Sequence, residues 1–220
     1  MDTVGNVDIV GNVDIVGNAV LVVVDVQGGS APGDQARHEI PLMDGQGERV
    51  ERTRAVVEHC RAAGVPVVFI QEVHKPSLVD IGRELDGAEG PHCLEGWPET
   101  EIAAALAPRP EEYVVRKRRY SAFFGTELEI VLKGYRAQTL LLVGGLTDVC
   151  VHYTAADAHQ HDYRIRVLTD CVGGSSRAAH DASLAAMRYL QRDALVTSED
   201  VHGWLDGVSA RVPELTASPV

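Results

Sequence analysis

No stretch of this 220-residue chain is apolar enough for long enough to cross a bilayer. Its N-terminus also lacks the charged and long apolar regions of a secretory signal. These absences predict a cytoplasmic protein with no membrane partner. Cysteine is scarce and scattered: Cys60, Cys93, Cys150 and Cys171 show no Cys-x-x-Cys spacing and read as reduced thiols. Positive charge is outnumbered, with 20 Lys and Arg against 32 Asp and Glu. The resulting net charge of −12 argues against nucleic acid or an anionic membrane surface as a partner. A dinucleotide fingerprint is missing too, because Asp-Val-Gln-Gly-Gly-Ser-Ala-Pro-Gly follows the first apolar run where Gly-x-Gly-x-x-Gly would stand.

What the chain has is alternation. Apolar runs near 20–25, 66–71, 112–116, 139–143, 164–168 and 194–197 read as buried strands. Helical patterns near 48–63, 99–106, 126–134, 149–160, 177–191 and 198–206 separate them. Six strands alternating with helices predict a three-layer α/β/α domain with one six-stranded parallel sheet, Rossmann-like in outline. Two long irregular segments, 26–47 and 73–97, interrupt the rhythm. Loops of that length are usually functional or form subunit contacts. The first residues repeat with a period of six: Val-Gly-Asn-Val-Asp-Ile at 4–9 and 10–15, then Val-Gly-Asn-Ala-Val-Leu at 16–21. We read residues 1–18 as a repetitive extension without chemistry and 19–220 as the single domain, with a frayed tail at its end.

Cys150 is the most informative residue. It follows the buried run Thr139 to Val143 and a Gly144-Gly145 break, and it opens a helical pattern. A thiol there sits past the C-terminal end of a strand, where open α/β sheets bind ligands. A helix N-terminus favours negative charge, so a thiolate is expected, and its free N–H groups can serve an oxyanion. Two other apolar runs end on polar side chains suited to assist: Asp25 after Val20 to Val24, and Lys117 after Tyr113 to Arg116. A carboxylate can take the thiol proton and later activate water.

Three motifs in this order resemble the isochorismatase-like cysteine hydrolases, over a span from about Ala19 to about Gly207. They are Val23-Val24-Asp25-Val26-Gln27, Lys117-Arg118-Arg119-Tyr120-Ser121-Ala122-Phe123, and Gly144-Gly145-Leu146-Thr147-Asp148-Val149-Cys150-Val151 followed by Thr154-Ala155-Ala156-Asp157-Ala158. The resemblance implies an Asp25, Lys117 and Cys150 triad. It also implies a non-proline cis peptide at Gly145–Leu146, with the Leu146 and Cys150 N–H groups as oxyanion donors. Tyr120, Phe123 and Phe124, together with Gln27, are expected to line the substrate pocket.

The resemblance also implies a small-molecule amide or ureide as substrate, cleaved at a C–N bond through a thioester, and a homo-oligomer, dimer or tetramer. The thiol chemistry requires no cofactor. The segment Phe69-Ile70-Gln71-Glu72-Val73-His74 is similar to the metal-binding element of nicotinamidases in the same superfamily, with Pro91-His92-Cys93 as its partner. Glu72, His74 and His92 are thus a candidate set for Zn or Mn, with Glu72 replacing the usual Asp and Val73 the usual Trp. A metal-dependent nicotinamidase-like amidase or an isochorismatase-type hydrolase is the alternative, and a non-catalytic binding protein is the remaining one.

Overall fold

The computed structural model describes residues 13–28, 40–87 and 89–209. Within them the chain runs β1 (Ala19–Val24), α1 (Gln46–Ala62), β2 (Val67–Glu72), β3 (Tyr113–Lys117), α2 (Leu128–Gly134), β4 (Thr139–Gly145), α3 (Cys150–Gln160), β5 (Arg164–Gly173), α4 (Arg177–Leu190), β6 (Leu195–Val196) and α5 (Ser198–Ser209). All pairings are parallel, in the spatial order β3-β2-β1-β4-β5-β6. The chain builds outward from β1 through β2 to β3, then returns to build β4, β5 and β6 on the other side. Neighbouring tips of β1 and β4 therefore diverge at a topological switch point, the place where such sheets open a crevice.

The central strands are apolar at every position because both sheet faces are covered. In β1 the side chains of Val20, Val22 and Val24 join one core cluster with α2, α3 and α4. Ala19, Leu21 and Val23 join the other with α1 and α5. Leu140 and Leu142 of β4 face the first cluster, Leu141 and Val143 the second. Burying each such Val or Leu contributes roughly 1.5–3 kcal/mol. Strand β4 must also approach β1 closely at its tip. Gly144 has φ +110°, and a Cβ there would fall 2.0 Å from the Val24 carbonyl oxygen, so only glycine fits.

Two expectations change. The helix expected near 99–106 is absent; two short 3₁₀ turns, Pro98–Thr100 and Ala104–Leu106, stand in its place. Main-chain pairing with the continuation of β1 overrides the helix-forming alanines: Gln27 bridges Ile102, and the Ala103 N–H donates to the Val26 carbonyl at 3.0 Å. Strand β5 runs on to Gly173, with a register irregularity opposite Leu142 and Gly144 that brings Gly173 beside Gly145. The first repeat and half of the second lie outside the described residues. The rest packs under the sheet: Val13 and Ile15 rest on the second cluster, and the Val16 carbonyl accepts from Thr139 Oγ1 at 2.8 Å. Among the described residues no helix is long and apolar enough to cross a membrane.

Candidate active site

Asp25, Glu72 and Lys117 end three adjacent parallel strands, and Cys150 opens the helix after the fourth. Asp25 turns the chain off β1 with φ 48°, a left-handed conformation that Asp tolerates better than most residues. Glu72 and Lys117 are register partners across β2 and β3, so their side chains leave the same sheet face, towards α3. Lys117 is wholly buried. Its Nζ lies 2.8 Å from Asp25 Oδ2 and 3.4 Å from Cys150 Sγ, and it also donates to Glu72 Oε2. Cys150 Sγ is 3.7 Å from that same Glu72 oxygen. Beyond the approach of Lys117, the buried Asp25 oxygens have no hydrogen-bond partner among the described residues. They are therefore free to receive a proton.

Electrostatics divide the labour. Burial would lower the Lys117 pKa, but Asp25, Cys150 and Glu72 outweigh it and raise it well above the ordinary lysine value. Burial would raise Glu72, yet Lys117 and the neighbouring histidines hold it well below the usual carboxylate range. Asp25 moves the other way: burial and the nearby Glu72 charge outweigh Lys117 and lift it to about 6. Cys150 differs from the expected thiolate. Burial pushes its pKa well above the ordinary thiol value, and Asp25 and Glu72 add to that against Lys117. A wholly desolvated sulfur facing two carboxylates favours the neutral thiol. The resting group is a thiol with a base beside it.

The Gly145–Leu146 peptide is cis. Past it, the N–H groups of Val149 and Val151 both donate to the Leu146 carbonyl, at 3.1 and 3.0 Å. The Leu146 and Cys150 N–H groups are left without a main-chain acceptor among the described residues. They stand in the turn that leads into Cys150 and are the candidate donors to a tetrahedral oxyanion. A cavity of about 160 Å³ opens over this point, lined by Asp25, Gln27, Tyr120, Leu146 and Cys150 together with Arg49 from α1.

A second cluster reaches the cavity wall through Glu72 and His92. Glu72 Oε1 is 3.2 Å from His74 Nε2 and 2.9 Å from His92 Nε2. Glu84 faces the same two nitrogens at 3.5 and 3.6 Å. All four side chains are buried, and their candidate ligand atoms lie within 4.8 Å of one another. Neither buried oxygen of Glu84 has a hydrogen-bond partner among the described residues. Two imidazole nitrogens and two carboxylates are a chemically suitable donor set for Zn or Mn, and the orphaned Glu84 oxygens fit such an ion. With no ion, burial would lower His92, but the facing carboxylates outweigh it and raise it to about 10.

Residues 19–200 match the family model described as the Isochorismatase domain. The chain belongs to the isochorismatase family. Among relatives of this isochorismatase-family chain, the ureidoacrylate amidohydrolase RutB of Methylobacterium radiotolerans is 31% identical over 210 residues, 86% of this chain and 76% of that protein. An isochorismatase family protein from Desulfovibrio vulgaris superposes with TM-score 0.72 at 29% identity, covering 88% of this chain and 99% of that one. The N-carbamoylsarcosine amidase from Thermoplasma acidophilum gives TM-score 0.66 at 28% identity, covering 83% and 98%.

Other expected site residues of this isochorismatase-family chain are distributed unevenly. Gln27 lines the cavity but is also a bracket: its Nε2 donates to the carbonyls of Glu72 (3.0 Å) and Thr100 (2.7 Å), and its Oε1 accepts from the Glu72 N–H at 3.0 Å. Tyr120 lines the cavity; Phe123 and Phe124 are not among its lining residues. Phe123 stacks on His161, with ring centroids 5.1 Å apart, and packs against the first core cluster. Phe124 is 66% exposed. The turn after Ser121, whose carbonyl accepts from the Phe124 N–H, carries both rings away from the crevice. Glu84 was not among the expected site residues. It sits in an acidic stretch, Arg83-Glu84-Leu85-Asp86, that reads as solvated surface. The apolar Ile81 before it is the one local sign of burial.

Proposed function

We propose that this chain hydrolyses a C–N bond of a small amide or ureide, with Cys150 as nucleophile, Asp25 as general base and acid, and Lys117 as the charge that steadies both. The observation that carries the reading is the wholly buried Lys117 Nζ held between Asp25 and Cys150 at the base of the cavity. The relatives named for ureidoacrylate and N-carbamoylsarcosine support the substrate class.

The thiol passes its proton to Asp25 as Sγ bonds to the substrate carbonyl carbon. The carbonyl electron pair moves onto oxygen, between the Leu146 and Cys150 N–H groups. Collapse breaks the C–N bond, and Asp25 returns the proton to the departing nitrogen, releasing ammonia or an amine. Water then gives a proton to Asp25 and attacks the thioester. The C–S bond breaks, and Cys150 recovers its proton from Asp25. Lys117 stays charged throughout and offsets negative charge as it shifts between oxygen and sulfur.

Ammonia release from a panel of small amides and ureides tests this reading, and its pH profile tests the base. Asp25 acts only when unprotonated, and its pKa stands at about 6. So kcat/KM is expected to fall about tenfold per pH unit below that value and to level off above it. A profile flat down to pH 4.5 would remove Asp25 as the base.

A second reading adds a divalent ion, favoured by the orphaned Glu84 oxygens. Glu72, His74, Glu84 and His92 would hold it, and when bound it would supply a Lewis acid beside the cavity. The protein as purified is then expected to carry about one equivalent of Zn or Mn, lost in His92→Ala and in Glu84→Ala by elemental analysis. Metal-free wild-type protein that is fully active would dispose of this reading and leave the thiol chemistry standing.

A further inference from the structure

Arg49 is a half-buried cation in the wall of the reaction cavity, and the mechanism above makes no use of it. It arrives there by helix geometry. Gln46, Arg49, Val50 and Thr53 follow the i, i+3, i+4, i+7 spacing of one helical face, and all four line the cavity. The guanidinium is tethered by main chain alone, with Nη1 donating to the Asp44 carbonyl at 2.5 Å and Nη2 to the Met43 carbonyl at 2.9 Å. Carbonyls fix its position without neutralising its charge.

No carboxylate lies within ion-pair distance of Arg49 among the described residues. Arg61 is paired with Glu112 at 2.6 Å and Arg118 with Asp80 at 2.8 Å; Arg119 and Arg166 are held by carbonyls as Arg49 is, but neither lines the cavity. In a chain with 32 acidic residues and a net charge of −12, an unpaired, half-buried arginine at a cavity is the exception. Four carboxylates share the cavity wall, and none pairs with Arg49: Asp25 and Glu72 hold Lys117, Glu89 faces His92 at 3.8 Å, and Glu99 has a contact of its own.

The guanidinium is also held next to the reacting centre. It lies against the bare backbone of Gly173, where a Cβ would fall 2.4 Å from Nε and 2.7 Å from Cζ. Gly173 is the register partner of Gly145, and its carbonyl accepts from the Thr147 N–H at 2.9 Å. Arg49 therefore flanks the turn that carries the Leu146 N–H, on the β5 side. Lys117 stands on the opposite, β3 side.

We propose that Arg49 is a specificity-determining residue that receives a carboxylate of the substrate, so that the amide or ureide cleaved at Cys150 is an anion. The inference rests on the hydrolase reading for the bond that is cleaved, though not for the binding of charge. A planar guanidinium with N–H groups to spare matches the two oxygens of a carboxylate. It also gives the pocket a direction: the carbonyl lies at Cys150 and the charge towards α1.

Two compounds with the same ureide and different charge test it: 3-ureidoacrylate and its methyl ester. Their binding is measured by calorimetry on Cys150→Ala protein, and their turnover by ammonia release from otherwise wild-type protein. The acid is expected to bind about 10- to 100-fold more tightly than the ester, the range for a charge-assisted contact. Adding Arg49→Gln should remove that preference by weakening the acid, with the ester changed less than about twofold. Arg49→Lys should keep part of it. In turnover, Arg49→Gln should raise KM for the acid with little change in kcat. Equal or absent binding of the two compounds overturns the proposal, as does an equal loss for both in Arg49→Gln. Arg49-dependent binding of the acid without ammonia from either compound would remove the hydrolase reading and leave the anion subsite. Ammonia release with no preference for the acid would do the reverse.

Discussion

Cys150→Ala is expected to lower ammonia release by at least about 10⁴-fold, the scale seen when a covalent nucleophile is removed, while the protein stays folded. The sulfur lies in the cavity wall, 3.4 Å from Lys117 Nζ. Without it, positioning and oxyanion stabilisation remain, but no covalent intermediate can form. Alanine removes one small buried group, so the melting temperature should move by only a few degrees. Thermal unfolding and a quantitative ammonia assay on the same preparation check both halves. Activity within tenfold of wild type would end the thioester mechanism. If that residual activity were chelator-sensitive, the reaction would pass to the Glu72, His74, Glu84 and His92 cluster.

Asp25, Lys117 and Cys150 were legible in the sequence because each stands at or just past the end of an apolar run. In a parallel sheet every such end lies on the same edge. Strand β1 needed no long-range information, since six consecutive buried apolar residues have few other folds open to them. What the sequence concealed were consequences of pairing between distant segments. Glu72 was read as a metal ligand, yet its register opposite Lys117 also makes it a counter-charge of that lysine. Nothing local to either residue encodes that register. The alanine-rich stretch at 102–105 carries a helix propensity that one bridge to Gln27 overrides. The thiol's protonation depended on a competition that spacing alone cannot weigh, between a helix terminus and complete desolvation beside two carboxylates. Arg49 lies on a helix rich in charged residues, and nothing local to it marks one of them for the cavity; the approach of Gly173 does.

Lys117→Met should be the most damaging substitution of similar size in the protein, in stability as well as rate. The lysine is wholly buried and stands between Asp25 and Glu72. Methionine keeps much of its volume, so packing is preserved and charge is the variable. Removing one member of a buried ionic group and leaving the others costs roughly 3–5 kcal/mol. The sign of the pH dependence follows from the carboxylates. In the wild type, Lys117 holds Glu72 well below the usual range. In the variant both carboxylates lose this charge; Glu72 keeps His74 and His92, but Asp25, already raised to about 6 by burial, is driven further above its unfolded value. A group raised in this way is destabilising where it must ionise and harmless where it is protonated. The variant should therefore be most compromised near pH 7.5 and recover towards wild type as the pH falls to about 5, as read by urea denaturation at both values. Its thiol should also alkylate more slowly with iodoacetamide at neutral pH, because the cation 3.4 Å from Sγ is gone. A stability loss equal at both pH values would show that Lys117 acts by packing alone. An unchanged alkylation rate would show that it does not assist the sulfur, leaving Asp25 as its sole activating partner.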